Sequence, residues 1–150
     1  MRAPVRREII CCRSETGGAH LVLFANESWL PLESAFPAEV AAEREKGLRL
    51  GQVGLFAGNA AGAALILRLF ARAWRRFLAL ELDVVLAAVD PGDASLYRRL
   101  LFESAGWGRR SWDFADYAAV EVLRLDVQTV APRMTSALRR RFTKREETAP

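Results

Sequence analysis

Apolar positions along the chain follow two rhythms. Short apolar runs mark Arg7–Arg13 (REIICCR) and His20–Ala25 (HLVLFA) as strands, and the turn residues of SETGG between them close a hairpin. NESWLPLESAFPAEV, with two prolines, reads as a loop; Ala38–Lys46 then has helix-forming composition and Gly47 supplies the stop. Leu48–Gly58 (LRLGQVGLFAG) reads as a central strand carrying Gly51, Gly54 and Gly58. Glycine in such a strand marks a bulge or a close approach, or else plain loop flexibility. Asn59–Leu80 holds the longest helical pattern, with Leu65, Ile66, Leu69, Phe70, Ala73 and Phe77 on its apolar side. Leu82–Val89 is an almost continuous apolar run, as expected of a buried strand. Strand, helix and strand in this order make a βαβ unit with parallel central strands. A helix is expected from Asp93 to about Glu103, ended by Gly106, then a loop over RRSWDFADY, and a last strand over Ala118–Val127. Pro132 is expected to end the domain, giving one domain over residues 1–131 and a tail over 132–150.

Composition narrows the class. The chain has 150 residues, 51% hydrophobic and 27% charged, which suits one globular domain with a real core. No apolar run reaches the roughly 18 residues of a membrane helix, and no secretion signal is visible, so no transmembrane segment is expected. Cys11 and Cys12 are adjacent and His20 is the sole histidine, which argues against a His/Cys metal site and a Ser-His-Asp triad. The cysteine usage fits a reduced, cytoplasmic protein. The net charge of +4 is unevenly placed: the stretch from Pro132 carries six basic and two acidic residues, while the body before it balances. The basic excess is therefore a property of the tail, and no specific nucleic-acid binding is expected.

Candidate chemistry lies where the topology would put a ligand. In an open α/β sheet that is the carboxyl end of the central strands, here Ala57-Gly58 and Val89-Asp90. NAAGAA, from Asn59 to Ala64, opens the long helix there, and small residues at a helix N-terminus leave N–H groups to an anion, although alanine-rich helix starts are also ordinary. Tyr97 in DPGDASLYRRLLF is a core aromatic or a proton donor. Arg68, Arg72, Arg75 and Arg76 share one helical face, either a solvated surface or a dock for an acidic partner.

These motifs resemble the GNAT acyltransferases. Asn59, Gly62 and Ala64 occupy the three defined positions of that family's pyrophosphate loop, Arg/Gln-x-x-Gly-x-Gly/Ala, with asparagine at the first. Its late pattern, Asn-x-x-Ala-x-x-Leu-Tyr-x-x-x-Gly-Phe, falls on Asp90, Asp93, Leu96, Tyr97, Leu101 and Phe102, of which Leu96, Tyr97 and Phe102 match outright. LPLESAFPAEVAAEREKGLRLGQVGLFAG and the late strand AAVEVLRLDV are similar to the long-chain N-acyl amino acid synthase group, a branch related to acyl-homoserine-lactone synthases. The resemblance implies an α/β (α+β) fold: a mixed, mostly antiparallel sheet with a central βαβ unit, splayed central strands and helices on both faces. It implies transfer of an acyl group from acyl-CoA, or from the phosphopantetheine of an acyl-carrier protein, to an amine such as that of an amino acid. No metal is implied. By the same resemblance Leu55, Phe56, Ala57, Asn59, Gly62, Ala63 and Ala64 hold the donor, backbone N–H groups near Leu55–Ala57 face the oxyanion, and Tyr97 protonates the leaving thiolate. The arginine face would dock the acidic carrier. The departures sit on one strand: Gln52 stands where the group has a glutamate and Leu55 where it has an arginine. The chain also opens at a strand that the group reaches only after N-terminal helices. A catalytically degenerate module that binds a carrier without turnover is the alternative expectation.

Overall fold

A computed structural model describes residues 6–14, 17–25, 29–57, 62–112 and 117–148. Six strands form one sheet in the order β1-β2-β3-β4-β6-β5. β1 (Arg6–Ser14) and β2 (Gly17–Ala25) are the expected hairpin, paired from Arg6↔Ala25 to Ser14↔Gly17. β2 continues antiparallel to β3 (Leu50–Ala57). β3 and β4 (Val84–Val89) are parallel, because α2 (Ala63–Ala79) returns the chain to the starting edge between them. β6 (Tyr117–Asp126) lies antiparallel to β4, and β5 (Glu103–Trp112) closes the far edge. The mixed, mostly antiparallel sheet and central βαβ unit are those expected.

Period two in the strands divides the core between the two faces of the sheet. Val53 and Leu55 of β3, Val85 and Ala87 of β4, and Leu123 and Leu125 of β6 face α2, α3 (Ala94–Arg99) and α4 (Val127–Thr148), forming the larger core with Leu69, Phe70, Trp74 and Phe77. Leu50, Val84, Leu86, Val120 and Val122 face the other way, onto Leu30, Leu32, Phe36 and Val40. Phe36 precedes α1 (Pro37–Glu45) and Val40 lies within it, so helices cover both faces. Gly51 marks a close approach, since a Cβ there would lie 2.7 Å from Leu82 Cδ1. Gly47 has φ +77°, the left-handed stop expected after α1.

Several expectations need correction. Part of RRSWDFADY is strand: Arg109–Trp112 belong to β5, an edge strand whose described residues are mostly exposed, so no apolar alternation betrays it, and Tyr117 opens β6. Gly106 and Gly108, at φ +74° and +76°, sit inside β5, where its register slips between Ser104 and Arg109, rather than ending a helix. α3 is shorter than expected and stops at Arg99, with Leu101 turning the chain at φ +70°. The loop before α1 contains a 3-10 turn, Pro31–Ser34. The expected boundary at Pro132 falls inside α4, which continues through the proline and buries Met134 and Leu138 in the larger core. Pro132 costs one helical hydrogen bond, but those buried side chains tie the segment down. No helix among the described residues is long and apolar enough to cross a membrane.

Candidate active site

The two parallel strands part company halfway along. Their ladder runs from Leu50↔Val84 to Val53↔Ala87 and stops. Beyond it, β3 stays with β2 as far as Ala57↔Ala19, while Ala88 and Val89 of β4 stay with β6. A V-shaped gap therefore opens at the carboxyl ends of β3 and β4. This is the expected splay.

The turn after β4 aims a tyrosine at that gap. Asp90 Oδ1 accepts from Gly92 N at 2.9 Å and the Asp90 carbonyl from Asp93 N at 2.8 Å, folding the chain directly into α3. Tyr97, 7% exposed, then lies under β3. Leu55 N donates to the Tyr97 hydroxyl at 3.2 Å, the first amide past the ladder to meet a side chain. Phe102 seats the phenol ring edge-on at 5.5 Å and 87°. Around the ring is an apolar crevice lined by Leu21, Val53, Leu55, Ile66, Phe70, Tyr97, Leu100 and Phe102. The sequence singles out Leu55, Tyr97 and Phe102 by motif and Ile66 and Phe70 by helical periodicity, but not Leu21, Val53 or Leu100.

Gln52 is not with Tyr97. It lies one residue before the ladder ends, on the opposite face of the sheet, and is 4% exposed. Its Oε1 accepts from Leu32 N at 2.9 Å, pinning the Pro31–Ser34 turn to β3. Glu33 secures the same turn by accepting from Leu30 N at 2.9 Å and pairing with Arg44. Arg110 reaches across from β5 to the Ala35 carbonyl at 2.9 Å and to Glu39 at 2.8 Å, its guanidinium 4.6 Å from the centre of the Phe36 ring. Glu43, buried in α1, is 3.4 Å from Arg124.

Of the other candidates, Gly62 and Ala64 are exposed at the start of α2, where Leu65 N and Ile66 N already donate to the Gly62 carbonyl. Ala63 is the first residue of α2, and Phe56 and Ala57 close β3 at the rim of the gap. Asn59 lies outside the described residues. The arginine face divides in two. Arg76 makes a bidentate pair with Glu8 of β1 at 2.8 and 2.6 Å, and that carboxylate raises the guanidinium's pKa above its usual value, first through the hydrogen bonds and then through charge. Arg72 donates to the Cys11 carbonyl at 2.7 Å. Arg68 and Arg75 are exposed and make no hydrogen bond or ion pair among the described residues.

A mixed sheet whose central parallel pair splits at the carboxyl ends of its strands has the GNAT fold. The chain belongs to the N-acyl amino acid synthase FeeM family, whose model matches residues 10–126. Its fold is similar to that of FeeM, an N-acyl amino acid synthase from uncultured soil microbes, at 17% identity and a TM-score of 0.65 over 77% of this chain and 75% of that one. A polyamine N-acetyltransferase of Drosophila melanogaster is also similar, at 17% identity and a TM-score of 0.51 over 72% and 68%. No curated protein matches the chain. The family supports N-acyltransferase activity.

Proposed function

We propose that the protein takes an acyl group from the pantetheine thioester of an acyl-carrier protein or of coenzyme A and passes it to an amine, the amino group of an amino acid in the reading its family favours. The observation that carries this is the Tyr97 hydroxyl at the Leu55 N–H, in the gap between β3 and β4. The donor's arm enters that gap and its acyl tail follows the apolar crevice. The amine nitrogen attacks the thioester carbonyl, and the backbone N–H groups of Leu55–Ala57 stabilise the oxyanion. As the C–S bond breaks, Tyr97 gives its proton to the thiolate. The proton shed by the attacking nitrogen returns through solvent to the phenolate, so an amide and a thiol are the only products. Gly62, Ala63 and Ala64 form the helix start that takes the donor's phosphate, and Asn59, outside the described residues, is proposed to join them.

Gln52 enters this proposal as a support of the Pro31–Ser34 turn and not as a base. An amide cannot act as a base at neutral pH, and its Oε1 is engaged with Leu32 N. The amine must therefore arrive uncharged or lose its proton to water. On α2, Arg68 and Arg75 are the arginines most available to an acidic carrier, with Arg72 and Arg76 beside them but tied to β1. α2 and α3 contain no acidic residue, which supports that use. The cytoplasm, where such thioesters are made, is the compartment proposed. Gln52 favours a second reading, a module that holds a carrier without turnover.

Acyl-carrier protein and acyl-CoA, offered separately with a panel of amino acids, test the choice by mass spectrometry. An N-acyl product is expected, and Tyr97→Phe should lower its rate about a hundredfold. Carrier binding with no product from folded protein establishes the second reading; neither binding nor product rejects both.

A further inference from the structure

We propose that the outer edge of β1 docks an extended, acidic peptide segment of a partner protein, which joins the sheet as an antiparallel strand beside the arginines of α2. β2 separates β1 from β3, so this surface is distinct from the gap between β3 and β4.

The sheet has two edges, and they are built differently. β5 is blunted: Gly106 and Gly108 take positive φ, and its register slips between Ser104 and Arg109 and again between Arg110 and Trp112. β1 pairs with β2 without a break from Arg6↔Ala25 to Ser14↔Gly17, and no proline or positive-φ residue interrupts it. Ile9, in its middle, is 57% exposed, the most exposed large apolar side chain among the described residues.

Two hydrogen bonds fix which backbone groups of β1 look outward. Leu55 N donates to Tyr97, away from β2, so Leu21, opposite Leu55, turns its own N–H and C=O towards β1. Leu21 lies opposite Ile10, so Ile10 is bonded to β2 while its neighbours Ile9 and Cys11 point away from the sheet. Arg72 gives the same answer independently, because it donates from α2 to the Cys11 carbonyl at 2.7 Å. Arg7, two residues before Ile9, shares the outward setting. The edge therefore presents the N–H and C=O groups of Arg7, Ile9 and Cys11 to an incoming strand, with Arg72 on one of those carbonyls.

Charge selects the partner. Arg7 of β1 and Arg68, Arg72 and Arg75 of α2 are exposed. β1, β2 and α2 together carry a single carboxylate, Glu8, and Arg76 holds it at 2.6 and 2.8 Å. A second copy of β1 would set a second α2 beside the first on the same face of the sheet, arginine against arginine. An acidic segment meets attraction there instead. Glu8 and Ile10 face α2 and the larger core, so Ile9 faces the other way. A strand that alternates acidic and apolar residues suits both sides. Its apolar side chains lie beside Ile9 and its carboxylates lie under α2. An N–H of the incoming strand takes the Cys11 carbonyl, and the released Arg72 pairs with a carboxylate.

The peptide acetyl-Glu-Val-Glu-Val-Glu-Val-Glu-amide is the probe, and calorimetry with the full chain reads its binding. Affinity should fall at least about tenfold when lysine replaces glutamate in the peptide, and should weaken as salt rises. Equal binding of the two peptides, or no binding of the acidic one, overturns the proposal. Ile9→Pro removes one outward N–H and leaves the ladder to β2 intact, so it should also weaken binding about tenfold. Amide hydrogen exchange on wild-type protein keeps the test independent of how that variant folds. The acidic peptide should slow exchange at Arg7, Ile9 and Cys11 but not at Glu8 and Ile10, which β2 already protects. Protection without this alternation, or confined to other elements, overturns the docking mode. Sedimentation of the chain alone reads the rival occupant: a dimer that Ile9→Pro disperses gives the edge to a second copy and overturns the acidic partner.

Discussion

Gln52 on β3 and Tyr97 on α3, on opposite faces of the sheet, do the same elementary thing. Each offers an oxygen to a backbone N–H that no strand reaches. Their surroundings differ. Gln52 sits where β3 and β4 are still paired, under a roof fixed by Glu33, Arg44 and Arg110. Its bond joins two parts of a closed core. Tyr97 sits where the pairing has ended, beside an apolar crevice, and its partner is an amide that a substrate can claim. A polar side chain near a ligand site is thus assigned by whether the amide it serves has another claimant. On that criterion Gln52 is assigned to the fold and Tyr97, in the proposed reaction, to the substrate.

The sharpest way to break this division is to damage the roof alone. Phe36 is fully buried, packs against Trp107 at 5.7 Å and carries the Arg110 guanidinium on its ring. Phe36→Ala should cost about 3–5 kcal/mol in denaturant unfolding. Donor affinity, measured on the fraction that remains folded, should not change. A parallel loss of donor affinity would show that the two faces act as one unit.

Gln52→Leu probes the same boundary more gently. It leaves Leu32 N without its acceptor in a buried place, which costs about 1–3 kcal/mol. Turnover should fall only as far as the folded fraction falls. Turnover lost from fully folded Gln52→Leu would instead put the amide in contact with the acceptor.

How much of this was legible beforehand depended on what each residue is buried against. The βαβ unit was plain because Leu82–Val89 and the apolar side of Asn59–Leu80 are continuous stripes facing one core. The splay and Tyr97 were reached through motif spacing, since Leu96, Tyr97 and Phe102 keep the family's positions. β5 was illegible because an edge strand with glycines at 106 and 108 and exposed charges has no buried face to impose alternation. The job of Gln52 was illegible for another reason. Its partner is a main-chain amide 20 residues away, and composition does not record which N–H groups a fold leaves over. Pro132 misled because a proline is a local signal, whereas Met134 and Leu138 hold α4 through contacts distant in sequence.

The division between groups that serve the fold and groups left to a partner extends to α2, where it predicts the smallest effect. Arg76 and Glu8 join α2 to the edge strand β1 through two hydrogen bonds, but the arginine side chain is 43% exposed, so solvent screens much of the attraction. Arg76→Gln should cost about 0.5–1 kcal/mol. Its pKa in the folded protein is raised, so its contribution is complete below the ordinary arginine value and is lost only as pH climbs through the raised one. The stability difference between wild type and Arg76→Gln should therefore stay constant between about pH 7 and 9, as followed by unfolding at each pH. Affinity for an acidic carrier should be nearly untouched, because Arg68 and Arg75 remain. A variant that keeps its stability but loses carrier affinity would move Arg76 from the fold to the docking face, and the split within the arginine stripe would be lost.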